Sequence, residues 1–166
     1  MMKQDGTVVC PGSYDPVTNG HVDIITRSSQ VFERVVVGIV NNPMRKDRTL
    51  FTAEERKGLI EEATADLGNV EARIFSNLLV EFARELGAKA IVKGLRAISD
   101  FEYEFEMAQL NRKLDPEIES IYMIASPQYS FLSSTGVKEM ATFGGDVADL
   151  VPAPVAAAMA ERLPAR

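Results

Sequence analysis

Thr7-Val8-Val9-Cys10-Pro11-Gly12-Ser13-Tyr14-Asp15-Pro16-Val17-Thr18-Asn19-Gly20-His21 is the stretch that decides the fold. A short apolar run ends in a loop rich in Gly, Ser, Pro and Asn. A helical pattern then starts near His21, the only histidine of the protein. A strand that stops in such a loop and resumes as a helix aims backbone N–H groups at phosphate. The loop matches neither G-x-x-x-x-G-K-[ST] nor G-x-G-x-x-G, the two common phosphate loops.

Working outward, strand and helix patterns alternate. The sequence predicts strands over 7–10, 34–40, 70–75, 89–93 and 119–124. It predicts helices over 20–30, 52–67, 77–86, 99–114, 133–143 and 154–163, with a polar, basic loop over 41–50. Thr52-Ala53-Glu54-Glu55 and Ser99-Asp100-Phe101-Glu102 read as capping boxes, and Gly87 closes the third helix. Strands separated by helices predict an α/β fold: a doubly wound parallel sheet of about five strands with right-handed crossovers. Residues 1–166 form one domain in this reading, with 146–166 as a C-terminal helical tail. Ligands of such folds bind beyond the carboxyl ends of the strands, where the loop after residue 10 lies.

Bulk properties narrow the function. The 166 residues suffice for one sizeable core. Apolar residues make up 46% and charged residues 25%, an ordinary globular balance. The formal net charge of −6 argues against a nucleic-acid surface, which needs a basic face. A small polyanion needs only a few converging cations and stays compatible with that charge. One cysteine excludes an internal disulfide, and no apolar run reaches membrane-span length. Residues 1–6 lack a signal-peptide core, so a cytoplasmic protein with no membrane partner is expected.

Several residues are candidates for chemistry. An imidazole at His21 can donate to a phosphoryl oxygen as charge builds, and Gly20 lets phosphate approach the backbone. Ser13 and Tyr14 either serve the turn or face phosphate; Asp15 organises the loop. Thr18 is a phosphate donor or a helix cap. Arg45 and Lys46 sit in a basic loop that is either solvated or phosphate-directed. Lys93 and Arg96 flank Gly94 at the ligand edge of the sheet. Glu104 reads by spacing as a surface acid. Ser133, Ser134 and Thr135 offer hydroxyls and free N–H groups at a helix start. Leu79 and Phe82 read as core positions, as does Cys10. No cluster has zinc spacing, so no metal ligand is assigned.

The T-x-G-H ending resembles the nucleotidylyltransferase superfamily. Lys93-Gly94-Leu95-Arg96-Ala97-Ile98-Ser99-Asp100-Phe101-Glu102-Tyr103-Glu104 and Tyr129-Ser130-Phe131-Leu132-Ser133-Ser134-Thr135-Gly136-Val137-Lys138-Glu139 narrow this to a resemblance to the phosphopantetheine adenylyltransferase family. The resemblance covers nearly the whole chain. It implies transfer of the adenylyl group of ATP to 4′-phosphopantetheine, giving dephospho-coenzyme A and pyrophosphate. It assigns His21 as transition-state stabiliser, with Arg45, Lys93 and Arg96 as catalytic cations. It assigns Ser13, Tyr14, His21, Gly94, Leu95, Arg96 and Glu104 to ATP, together with the run from Tyr129 through Ser130, Phe131, Leu132, Ser133 and Ser134 to Thr135. It assigns Ser13, Arg45, Leu79 and Lys93 to the acceptor. The family carries lysine at the position of Arg45 and a larger residue at that of Gly136. The resemblance also implies magnesium held mainly through ATP phosphates, coenzyme A as product-like or feedback ligand, and a homohexamer. Two alternatives stand beside it: a related nucleotidylyltransferase acting on nicotinate mononucleotide or glycerol phosphate, and a non-catalytic nucleotide sensor.

Overall fold

The computed structural model describes residues 4–42 and 49–163. Its strands are β1 (Gln4–Gly12), β2 (Phe32–Val40), β3 (Val70–Phe75), β4 (Ala88–Leu95) and β5 (Glu119–Ile124). All pairs are parallel, in the order β3-β2-β1-β4-β5. The helices are α1 (Asn19–Val31), α2 (Ala53–Ala63), α3 (Leu79–Glu85), α4 (Ile98–Leu114), α5 (Ser134–Thr142) and α6 (Ala153–Arg162). The expected α/β, doubly wound sheet of five strands is what forms.

Period-two alternation sorts the strand side chains into two buried layers. Val8, Val35, Val37 and Ile39 pack with Ile25 of α1, Ile60 of α2, Val137 of α5 and Met159 of α6. Val9, Val36 and Ile91 pack on the other face with Val80, Phe82 and Ala83 of α3. Burying each Val or Ile contributes about 1.5–3 kcal/mol before entropy is counted. Val147, Val151, Val155 and Met159 all enter the first layer. The segment read as a tail therefore completes the same core.

The chain builds outward from β1 to β3 and then returns to β4 on the opposite side. This makes the carboxyl ends of β1 and β4 the topological switch point. Pairing between β1 and β2 continues to Gly12 and Ile39, whereas pairing between β1 and β4 stops at Val9 and Ile91. The two strands part beyond that register, and a crevice opens between them.

Some boundaries differ from expectation. β1 begins at Gln4, before the predicted 7. The box at Thr52 forms, with Glu55 reaching back to the Thr52 N–H. The box at Ser99 does not: α4 starts at Ile98 with Ala97 as its N-cap. Asp100, in the first turn, accepts from the backbone N–H and guanidinium of Arg96, a charge-assisted bond. α2 ends at Ala63, short of 67, where the Thr64 hydroxyl turns back to the Ile60 carbonyl at 2.8 Å. α3 starts at Leu79 rather than 77, and the Asn77 amide bonds Glu85 instead of capping. No helix among the described residues is long and apolar enough to cross a membrane.

Candidate active site

The start of α1 sets the first functional group. Thr18 is the N-cap, and its Oγ1 accepts from the His21 N–H at 3.3 Å. The Thr18 N–H donates to His21 Nδ1 at 3.0 Å. His21 thus fills the reciprocal place that Glu or Gln takes in a capping box. Because Nδ1 accepts, the imidazole proton resides on Nε2. Burial, then the charge of Arg96, pull the His21 pKa down to about 4. At neutral pH the ring is an uncharged donor. Tyr14 meets it edge-on, with centroids 5.0 Å apart. The Tyr14 hydroxyl donates to the Cys10 carbonyl at 2.8 Å. Its ring lies so near Gly12 that an added Cβ there would stand 3.0 Å away.

His21 opens on a cavity of about 310 Å³ at the switch point, which Lys93, Arg96 and Glu104 also line. The imidazole and the lysine–arginine pair therefore share one space. Lys93 Nζ stands 2.7 Å from Glu104 Oε1 and 2.6 Å from Oε2. Only Oε1 is aligned as a hydrogen-bond acceptor; Oε2 is buried without one. Arg96 is clasped by Asp100 at 2.8 Å and by the Leu132 carbonyl at 2.8 Å. Asp100 and Glu104 lie one turn apart on α4, so one helix face holds both cations. At Gly94 a Cβ would lie 2.9 Å from Ile24 Cγ1. The glycine lets α1 close on β4.

The start of α5 forms another wall. Ser133 accepts from the Gly136 N–H at 3.0 Å, and the Ser134 hydroxyl donates to the Pro16 carbonyl at 2.7 Å. The Ser134 O–H is thus spent inside the protein, whereas Ser133 only accepts and keeps its own O–H. That hydroxyl, Thr135 and the first-turn amides of α5 other than the Gly136 N–H remain for an anion. Cys10 also borders the cavity, but burial pushes its thiol up to about 12, so it holds its proton and is a poor nucleophile.

A second cavity, of about 990 Å³, adjoins the first, and Ser13, Leu79, Tyr103, Met107 and Arg56 line it. Lys93 and Pro11 border both. Asp15 joins the walls: its carboxylate accepts from the N–H groups of Leu50 and Phe51 and from Lys138 Nζ, each at 2.9 Å. Arg162 of α6 donates to the Leu50 carbonyl and pairs with Glu55.

The sequence candidates distribute accordingly. Tyr14, His21, Lys93, Gly94, Arg96, Glu104, Tyr129 and Leu132–Thr135 border the first cavity; Ser13, Leu79 and Lys93 border the second. Leu95, Ser130 and Phe131 border neither, and Phe131 is 72% exposed. Phe82 stacks on Phe75 in the core. Arg45 and Lys46 lie outside the described residues. Sequence reading missed Asp100, Arg56, Lys138 and Arg162. Asp100 stands four residues from Arg96, a spacing that could have pointed to the pair; Arg56, Lys138 and Arg162 are helical charges whose partners lie far along the chain.

Comparison with known proteins bears on this geometry. Residues 9–140 match a family model described as cytidylyltransferase-like. The chain is 57% identical over 144 residues to a phosphopantetheine adenylyltransferase of Clostridium tetani, covering 87% of this chain and 89% of the relative. It is 51% identical over 154 residues to the protein of that name from Alkaliphilus metalliredigens, covering 93% and 97%. The corresponding protein of Rubrobacter xylanophilus is 55% identical over 144 residues, 87% of each chain.

Proposed function

The chain belongs to the phosphopantetheine adenylyltransferase family within the cytidylyltransferase-like proteins, and we propose from this that it transfers the adenylyl group of ATP to 4′-phosphopantetheine. The products are dephospho-coenzyme A and pyrophosphate, a step of coenzyme A synthesis. One observation carries the assignment to this site: Lys93 borders both cavities. Two anions that repel each other need a shared cation where they meet. ATP takes the first cavity and the acceptor the second.

An oxygen of the acceptor's phosphate attacks the α-phosphorus, the bond to the β-phosphate breaks, and pyrophosphate leaves with the electron pair. The attacking oxygen is already anionic near neutral pH and needs no base. Positioning and charge stabilisation supply the catalysis. His21 donates from Nε2 to the phosphoryl group as charge develops. Arg96 and the α5 amides hold the triphosphate, with Gly94, Glu104 and Tyr129 around the nucleotide. Leu79, Tyr103 and Met107 give the acceptor's arm an apolar wall. By the family resemblance, Arg45 is assigned to the acceptor phosphate.

Asp100 and Glu104, the carboxylates lining the first cavity, already face Arg96 and Lys93. That donor set fits a magnesium ion carried on phosphate oxygens rather than caged by side chains. Bound there, the ion neutralises triphosphate charge. Phe101, Phe105 and Leu114 lie more than half exposed along α4, which supports burial against further copies in a homohexamer. Coenzyme A, which carries the same arm, is read as a further ligand of the second cavity, and the reaction as cytoplasmic.

Purified protein with ATP, magnesium and phosphopantetheine tests the reading. Pyrophosphate release that requires this acceptor supports it. Release with nicotinate mononucleotide or glycerol phosphate instead, or nucleotide binding without turnover, overturns it.

A further inference from the structure

We propose that Arg56 is a positioning residue that presents the backbone N–H of Tyr14 to the phosphoryl group being transferred. The proposal rests on the adenylyl-transfer reading above.

Arg56 sits on α2 and is only 4% exposed. Burial lowers its pKa from the ordinary value, and the nearby Asp15 works the other way. The guanidinium stays charged, since its reference value is far above neutrality. It is spent on backbone. Nε donates to the carbonyls of Phe51 and Thr52, at 3.2 and 3.3 Å. Nη1 donates to the carbonyls of Val40 and Ser13, at 3.1 and 2.6 Å. A buried cation that grips four carbonyls from three segments fixes those segments relative to one another.

The bond to Ser13 is the shortest of the four. In a trans peptide the N–H points opposite to the C=O, and the only cis bond among the described residues is Asp15–Pro16. Pinning the Ser13 carbonyl therefore turns the Tyr14 N–H away from Arg56. Ser13 and Arg56 border the second cavity and Tyr14 the first, so this peptide spans the boundary between them. Two further observations point to a ligand. Tyr14 holds a φ of +51°, the left-handed region that a non-glycine residue adopts at a cost. Tyr14 is buried, yet its N–H has no protein acceptor among the described residues. Buried amides are almost always paired. An anionic oxygen at the junction supplies the missing partner, and the donor is aimed before the substrate arrives.

The test is Arg56→Lys, which keeps the charge but cannot fork onto several carbonyls. Steady-state kinetics, ATP affinity and thermal melts are measured together. The expected result is a folded variant with ATP affinity within about threefold of wild type and kcat lower by about a hundredfold. A kcat within about threefold, or an ATP affinity that falls by the same factor as kcat, overturns the proposal. Should the variant not fold, the wild-type protein decides the matter by the amide resonance of Tyr14. A downfield shift of that proton on adding ATP and magnesium supports the assignment; an unmoved resonance overturns it. Failure of wild-type protein to use phosphopantetheine strikes the acceptor assignment instead, and the Tyr14 resonance still reports on the donor.

Discussion

The backbone N–H of Thr18 donates to Nδ1 of His21 at 3.0 Å. The bond assigns the tautomer: the proton must sit on Nε2, on the side of the ring that the cap does not use. The cap thus leaves the Nε2–H, the proposed donor to phosphate, on the ring's unused edge. Tyr14, edge-on at 5.0 Å, holds the ring plane.

His21→Gln separates the two roles. Glutamine at this helix position can close the same capping box, so stability should stay within about 1 kcal/mol of wild type. Turnover should fall by about a hundredfold to a thousandfold, because the glutamine amide N–H is not held where the ring's Nε2–H was. His21→Ala should lose the same turnover and the cap as well. Thermal melts and steady-state rates check both, and near-normal turnover in His21→Ala, which keeps no side-chain donor, removes His21 from the chemistry.

The depressed pKa of His21 predicts a pH dependence of stability. The native ring titrates at about 4 against 6.5 for an ordinary histidine. Between these values the unfolded chain binds more protons, so stability rises with pH. The contribution is complete above 6.5 and is lost as pH falls through about 4. Melting curves across this window should show a slope that His21→Gln flattens. In the free enzyme, kcat/KM should carry no His21 titration near 6.5.

Lys93→Met should leave Glu104, only 15% exposed, without its cation. Allowing for screening by partial exposure, the expected loss is about 1–3 kcal/mol, and adding Glu104→Gln should recover part of it. The acceptor KM should rise more than the ATP KM. Denaturant titrations of the four-member cycle measure the first effect, and steady-state kinetics the second. An unchanged acceptor KM would remove Lys93 from acceptor binding.

Gly94→Ala should cost about 1–3 kcal/mol through overpacking, since the new Cβ would stand 2.9 Å from Ile24 Cγ1. Ile24→Ala deletes that atom, so the double variant should be more stable than additivity predicts. Additive losses would mean that the glycine is not there for the approach of α1.

Local patterns read correctly where local energy dominates. The Thr52–Glu55 box forms because both partners lie within one turn and nothing outbids them. The Ser99 box does not form because α4 begins earlier, with Ala97 and not Ser99 at the N-cap. Ser133 and Ser134 both line the first cavity; Ser133 also caps α5, and the Ser134 hydroxyl donates to the Pro16 carbonyl.

By itself, the sequence determined the alternation of strand and helix, the phosphate-type loop before α1, and which residues stand at the carboxyl ends of the strands. These follow from period, turn chemistry and short-range bonds along the chain. The tertiary structure alone decided that Lys93 stands between two cavities, that Glu104 clasps Lys93, and that Arg56 grips the Ser13 carbonyl. Those relationships join residues that only folding brings together. Their energy depends on distance and burial in space, and no spacing along the chain encodes either.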